Sequence, residues 1–219
     1  LYAVTGDVAY AERVVWILDR FSRVYPDWLY HAYNGPYADC PPGEAAAEIG
    51  RHPRAGHFPK DVIRSQFGLH QYEDHARLCN GFWGAGRLGT GSGEGSYLLS
   101  ATVAYDLTRE AVREDGTRLF APEVERRVVD DLILAGCRDR ENWADINNKA
   151  GPNRALSAAV GILFQRPESV RRALDGFERL LSDCFHSDGF CRESPSYSGM
   201  HLSLMADIPV LLRGYTDPT

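Results

Sequence analysis

The sequence predicts an all-α fold. Apolar residues recur at helical spacing through most of the chain, several of these stretches open on helix-start signals, and no run combines the period-two alternation and hairpin turns of strands. Thr5-Gly6-Asp7 opens the first helix, and Val8, Ala11, Val15, Leu18 and Phe21 follow at intervals of three and four. Leu98, Ala101 and Tyr105 predict a helix over 94–107. Ala121-Pro122-Glu123 opens the next, since proline suits a first helical position, where its missing N–H has no partner to lose. Its apolar stripe is Val124, Val128 and Leu132, with Val129 and Ile133 beside it. Residues 155–164 are almost wholly apolar, so that helix is expected to be buried on most sides. Pro167-Glu168 opens another, carrying Val170, Leu174, Phe177, Leu181 and Cys184. The last, about 198–213, contains Pro209 and is expected to kink there.

Two stretches interrupt the helices. Residues 25–60 hold Pro26, Pro36, Pro41, Pro42, Pro53 and Pro59, which predicts a long, irregular connection of a kind that usually carries function. Residues 81–95 are glycine-rich, and Gly84 to Gly89 formally match the dinucleotide fingerprint G-x-G-x-x-G. That fingerprint works only between a strand and a helix, and no strand precedes it. The stretch reads as a loop leading into the helix near Glu94, or as a lid over a groove.

Length and composition set bounds. At 219 residues the chain suits one domain, 1–219, and 44% hydrophobic with 25% charged residues is an ordinary globular balance. The net charge of −6 argues against a general nucleic-acid binder. No apolar run approaches the roughly 18 residues of a membrane span. The chain begins at Leu1, within what reads as a helical array, and the expectation is an excerpt of a larger protein or a processed product. The five cysteines form no C-x-x-C pair, and the seven histidines show no ligand spacing, so no metal site and no cofactor are expected. Cys184 and Cys191 are near enough in sequence to bridge a short loop, but isolated buried thiols are the expectation.

Chemistry concentrates in the last third. Asn142-Trp143-Ala144-Asp145-Ile146-Asn147-Asn148-Lys149 puts polar side chains at the entrance of the most apolar helix. Some forty residues on, Asp188-Gly189 turns the chain into Cys191-Arg192-Glu193-Ser194-Pro195-Ser196-Tyr197, with His201 one helical turn later. Loops of consecutive antiparallel helices gather at one end of a stack, so both segments are expected to line one cleft. Each residue also has a purely structural reading. Asn147 or Asn148 caps a helix, Ser196 caps the next, Tyr197 is a half-buried aromatic, and His201 is a core histidine on the face of Leu204, Met205 and Ile208.

Taken together, Asn147-Asn148-Lys149, Asp188-Gly189 and Glu193-Ser194-Pro195-Ser196-Tyr197 resemble the N-terminal helical domain of heparinase II/III-type polysaccharide lyases, to which alginate and oligoalginate lyases are related. Val4-Thr5-Gly6-Asp7-Val8-Ala9-Tyr10-Ala11 and Ala104-Tyr105-Asp106-Leu107 are similar to that domain as well. The resemblance implies an incomplete (α/α) toroid, a C-terminal β-sandwich as partner domain, an acidic polysaccharide substrate and a periplasmic or secreted protein. It maps the family's asparagine onto Asn148 and its catalytic tyrosine onto Tyr197. The chain departs from the family at two places. Lys149 stands where related alginate lyases have histidine, and Ser198 follows the tyrosine where many members have histidine, which leaves the second acid/base group open.

The residue types suit β-elimination on a uronic-acid polymer. The proton at C5 becomes acidic once the neighbouring carboxylate is neutralised, a task for the Asn148 amide with Asn147, Lys149 or Arg192 beside it. A tyrosine ionises at about pH 10 in water and needs nearby positive charge to act as a base at neutral pH, which Lys149 or Arg192 would supply. On one sugar face, Tyr197 alone can take the proton and return it to the leaving oxygen; on opposite faces His201 is the second candidate. Glu193 is a further candidate substrate contact, and Trp83, Trp143 and Tyr197 are candidates to stack on sugar rings. The segment from Arg138 to Arg172 carries seven basic and four acidic residues, a modest fit to a polyanion. Two other classes stay open: a glycoside hydrolase on an (α/α) barrel using Asp188 and Glu193, and a non-catalytic carbohydrate-binding helical module.

Overall fold

A computed structural model describes residues 1–28, 87–88, 91–141 and 150–217. These residues are mostly helical and form no β-strand beyond two single-pair bridges, as an all-α class requires. In chain order the helices are α1 (Tyr2–Thr5), α2 (Val8–Val24), α3 (Gly91–Thr108), α4 (Pro122–Arg126), α5 (Ala135–Glu141), α6 (Ala150–Leu163), α7 (Pro167–Cys184), α8 (Pro195–Met205) and α9 (Asp207–Leu211). A 3₁₀ turn, Tyr25–Asp27, follows α2, and a π-helical stretch, Arg127–Leu134, joins α4 to α5.

Local chemistry sets the boundaries. Gly6 ends α1 in the left-handed conformation, and the Asp7 side chain accepts the Ala9 N–H at 2.9 Å, so Thr5-Gly6-Asp7 is the expected helix start. Pro122, Pro167 and Pro195 each occupy a first helical position.

Helix α6 is the axis of the fold, packed between α3 and α7 and touched by α8 and α9. Every residue from Ala150 to Gly161 is buried, as its composition predicts. Small residues let its neighbours approach closely. A methyl at Gly161 would lie 2.9 Å from the Val170 nitrogen of α7, and one at Gly151 would run into the Leu204 carbonyl of α8. The main apolar core joins Leu18, Leu98, Tyr105, Phe120, Leu132 and Leu156. A second, smaller core joins Ala150, Ala155, Leu180, Cys184, Phe185, Cys191, Met205 and Ile208.

Four expectations need correction. The last helix is two helices, divided at Ala206 rather than at Pro209. Proline has no N–H for the carbonyl four residues back, at Met205, so the first helix ends there; in α9 Pro209 sits in the first turn, where no donor is required. Helix α3 begins at Gly91, inside the glycine-rich stretch. The long helix after Pro122 widens into π geometry, and Val128, Leu132 and Ile133 all reach the core from it. On α7, Leu174 and Leu181 are more than 40% exposed, and the buried face is Val170, Ala173, Gly176, Leu180 and Cys184. The close crossing with α6 selects small side chains, and Gly176 lies against the stem of Arg154.

A buried charge network ties α2, α3 and α5 together. Glu94 accepts from the Tyr25 hydroxyl at 2.6 Å and from the Arg87 backbone N–H at 2.9 Å, with Arg140 at 3.6 Å. Arg87 in turn donates to Asp139 at 3.0 Å and to the Pro26 carbonyl at 3.0 Å. Burial raises the Tyr25 hydroxyl well above its usual range, with Glu94 and Asp139 adding to it. Burial also raises Asp139, against the pull of Arg87 and Arg140. Two arginines face two carboxylates there, which is how buried charge is tolerated.

Candidate functional site

The connection between helices α7 and α8, residues 185–194, contains a five-residue turn, 186–190, whose conformation follows from its sequence. The Gly189 N–H donates to the His186 carbonyl at 2.9 Å, and the His186 N–H donates to Phe190 at 2.8 Å. Gly189 adopts φ 84°, a region that costs any other residue a Cβ clash. The Asp188 carboxylate accepts the Phe190 N–H at 3.0 Å and so serves the turn. A single antiparallel bridge, Phe185 to Cys191, closes the hairpin.

Cys191 closes the bridge with Phe185, and the chain then bends at Arg192 and Glu193 before α8 begins. The Ser198 hydroxyl accepts the Cys191 N–H at 3.3 Å, which holds the hairpin against the first turn of α8. Arg192 is exposed, and its Nε donates to the Phe185 carbonyl at 3.1 Å. The cap position of α8 falls to Ser194 rather than Ser196, and the two hydroxyls pair at 2.9 Å.

Tyr197 stands on the first turn of α8 with 39% of its surface exposed. His201, one turn further, is 3% exposed; its Nε2 lies 2.8 Å from Glu193 Oε2, and its ring meets Phe185 edge-on at 5.8 Å. Glu193 keeps about half of its side chain in solvent. The hairpin and α8 thus bring Arg192, Glu193, Tyr197 and His201 into one neighbourhood. Asn147, Asn148, Lys149, Trp143 and Trp83 lie outside the described residues. Ala150, which directly follows Lys149, belongs to the same buried cluster as Phe185 and Cys191.

Sequence spacing suggests no metal-ligand set, yet Cys191, Glu193 and His201 converge, with one donor atom from each within 4.8 Å of the others. No spacing in the sequence signals the group, because the chain bends at Arg192 and Glu193 between the Asp-Gly turn and the proline-opened helix that carries His201. Cys137, Cys184 and Cys191 are free and buried, as expected of isolated thiols. Burial pushes the Cys184 thiol up to about 11, with Cys191 and Asp183 contributing.

A second polar region went unforeseen. Arg154, Arg171, Arg172 and Arg179 line an open cavity of about 340 Å³, with Glu168 and Asp175 on its wall. Burial lowers Arg154 to about 10, and repulsion from Arg172 adds to the shift. Part of the excess positive charge of the 138–172 segment therefore gathers in one place.

No family model, curated protein or solved structure matches the chain. No described helix is long and apolar enough to cross a membrane.

Proposed function

We propose that this chain is the helical part of a polysaccharide lyase that cleaves an acidic, uronic-acid-containing polysaccharide by β-elimination. One observation carries the reading. An exposed tyrosine, Tyr197, and an exposed cation, Arg192, flank a hairpin whose core residues Phe185 and Cys191 pack with Ala150, the residue that follows Asn147-Asn148-Lys149.

In this mechanism the Asn148 amide, with Lys149 and Arg192 nearby, neutralises the uronate carboxylate and makes the C5 proton acidic. The Tyr197 oxygen, acting as the base, takes that proton as the C4–oxygen bond breaks. It then returns the proton to the departing oxygen, so one group serves both steps and the product gains a C4–C5 double bond. His201 is buried and bonded to Glu193, so it acts as a positioning residue. Asp188 is engaged in its turn, which favours elimination over a hydrolase using Asp188 and Glu193. On this reading the helices belong to an incomplete (α/α) toroid of a periplasmic or secreted protein whose β-sandwich closes the cleft.

The test is to incubate the full-length protein with a panel of uronic-acid polymers and follow the ultraviolet absorbance of unsaturated uronides. Absorbance that Tyr197→Phe abolishes supports the reading. Saturated reducing ends alone indicate a hydrolase, and binding without cleavage indicates a carbohydrate-binding module; either result overturns it.

A further inference from the structure

Cys191, Glu193 and His201 take no direct part in the proton transfer proposed for Tyr197, yet a thiol, a carboxylate and an imidazole meet at one place. We propose that they form a binding site for a zinc-type divalent ion, which ties the 185–193 hairpin to α8.

The donor set is the first argument. Thiolate and imidazole nitrogen together select a borderline-soft ion such as zinc and disfavour magnesium and calcium, which take oxygen ligands. Geometry is the second. Ligand atoms around tetrahedral zinc stand about 3.5 Å apart, given bonds of about 2.0–2.3 Å. The three donors already lie within 4.8 Å of one another, and the imidazole and carboxylate are at 2.8 Å. The adjustment falls on Glu193, whose half-exposed side chain is free to swing and leaves an entry path from solvent.

The third argument is a group with no other task. Among the described residues His201 Nδ1 has no hydrogen-bond partner, although the side chain is 2% exposed. A buried imidazole nitrogen without a partner is unfavourable, and ligation through Nδ1 would supply one. If Nδ1 binds the ion, Nε2–H holds Glu193 as an orienting carboxylate; if Nε2 binds it, Glu193 ligates directly. In both cases Cys191 supplies the thiolate, its S–H proton passes to solvent, and water completes the coordination. The placement is useful. Cys191 and Glu193 flank Arg192, and His201 lies one helical turn below Tyr197, so an ion there would fix the two exposed groups relative to one another.

This site is independent of the lyase reading, and its test needs no substrate. The full chain, stripped with a chelator, is titrated with cobalt(II) and then with zinc. The expected result is one ion per chain, a thiolate-to-cobalt charge-transfer band that zinc bleaches, and proton release on binding. Cys191→Ser should remove the band, and Cys184→Ser should keep it. Glu193→Gln, a surface change that leaves folding intact by circular dichroism, should weaken zinc binding by about 10- to 100-fold. No bound ion, a band that survives Cys191→Ser, or a band that depends on Cys184 instead would overturn the proposal.

Discussion

In the connection between α3 and α4, Asp115-Gly116 turns the chain, the Asp115 carboxylate accepts the Thr117 N–H at 2.9 Å, and Val112 pairs with Arg118. In the connection between α7 and α8, Asp188-Gly189 turns the chain, Asp188 accepts the Phe190 N–H at 3.0 Å, and Phe185 pairs with Cys191. Pro122 and Pro195 follow their Asp-Gly pairs at the same spacing and open the next helices. Held in this register, the two hairpins differ in what they carry. Leu119, Phe120 and Val128 of the first are buried core residues. Their counterparts in the second are Arg192, Glu193 and His201, and partly buried Val124 corresponds to exposed Tyr197. One scaffold has been filled with apolar side chains at one end and with reactive ones at the other. Positions where a local plan gives up core residues for polar ones are where function is expected.

The sharpest contrast is at the matched pair Phe120 and Glu193. Phe120→Ala should cost about 3–5 kcal/mol in a urea unfolding experiment, because it empties a fully buried site between α2, α3 and the π stretch. Glu193→Gln should cost less than about 1 kcal/mol by the same measurement, since its partner is a single histidine and its side chain is half in solvent. Equal losses would dissolve the distinction between the hairpins. At Glu125 the first hairpin has its own polar anchor, which accepts from the Tyr105 hydroxyl at 2.9 Å and from Arg118 at 3.0 Å. Glu125→Gln should lower stability by about 1–2 kcal/mol in thermal unfolding. The turn glycines should show no contrast at all. Gly116 and Gly189 have φ of 80° and 84°, and a methyl would meet nothing within 4 Å at either, so only backbone strain is at issue. Replacing each in turn by alanine should cost about 1 kcal/mol, equal at both sites within error. A difference would mean that the shared plan is superficial.

The sequence made the helices readable because burial here follows simple periodicity. Ala11, Leu18, Leu98, Tyr105 and Val128 repeat at helical spacing and reach the core. It misled on α7 because the α6 crossing is close. Periodicity weighs large side chains, and Leu174 and Leu181 outweigh Ala173 and Gly176 on the face that packs. The break at Ala206 depends on the carbonyl that Pro209 cannot serve, one turn earlier than a search for the proline itself would place it. Within the candidate site, Tyr197, Arg192, Glu193 and His201 could be singled out by type. Their grouping depends on the bend at Arg192 and Glu193, which follows the hairpin, together with the helical turn that sets His201 one turn after Tyr197. No single period shows that combination. Nor does one reveal the charge network, whose members Arg87, Glu94 and Asp139 are brought together only by tertiary packing.

The most direct test of the proposed chemistry compares wild-type full-length protein with Tyr197→Phe on the polymer that the wild type cleaves best, with the far-ultraviolet dichroism of the two matched. Removing one hydroxyl from an exposed side chain should leave the fold and polymer binding intact. Formation of unsaturated uronide should fall by at least about 100-fold, the scale of a lost general base. Full elimination activity in Tyr197→Phe would contradict the assignment of Tyr197 as the base.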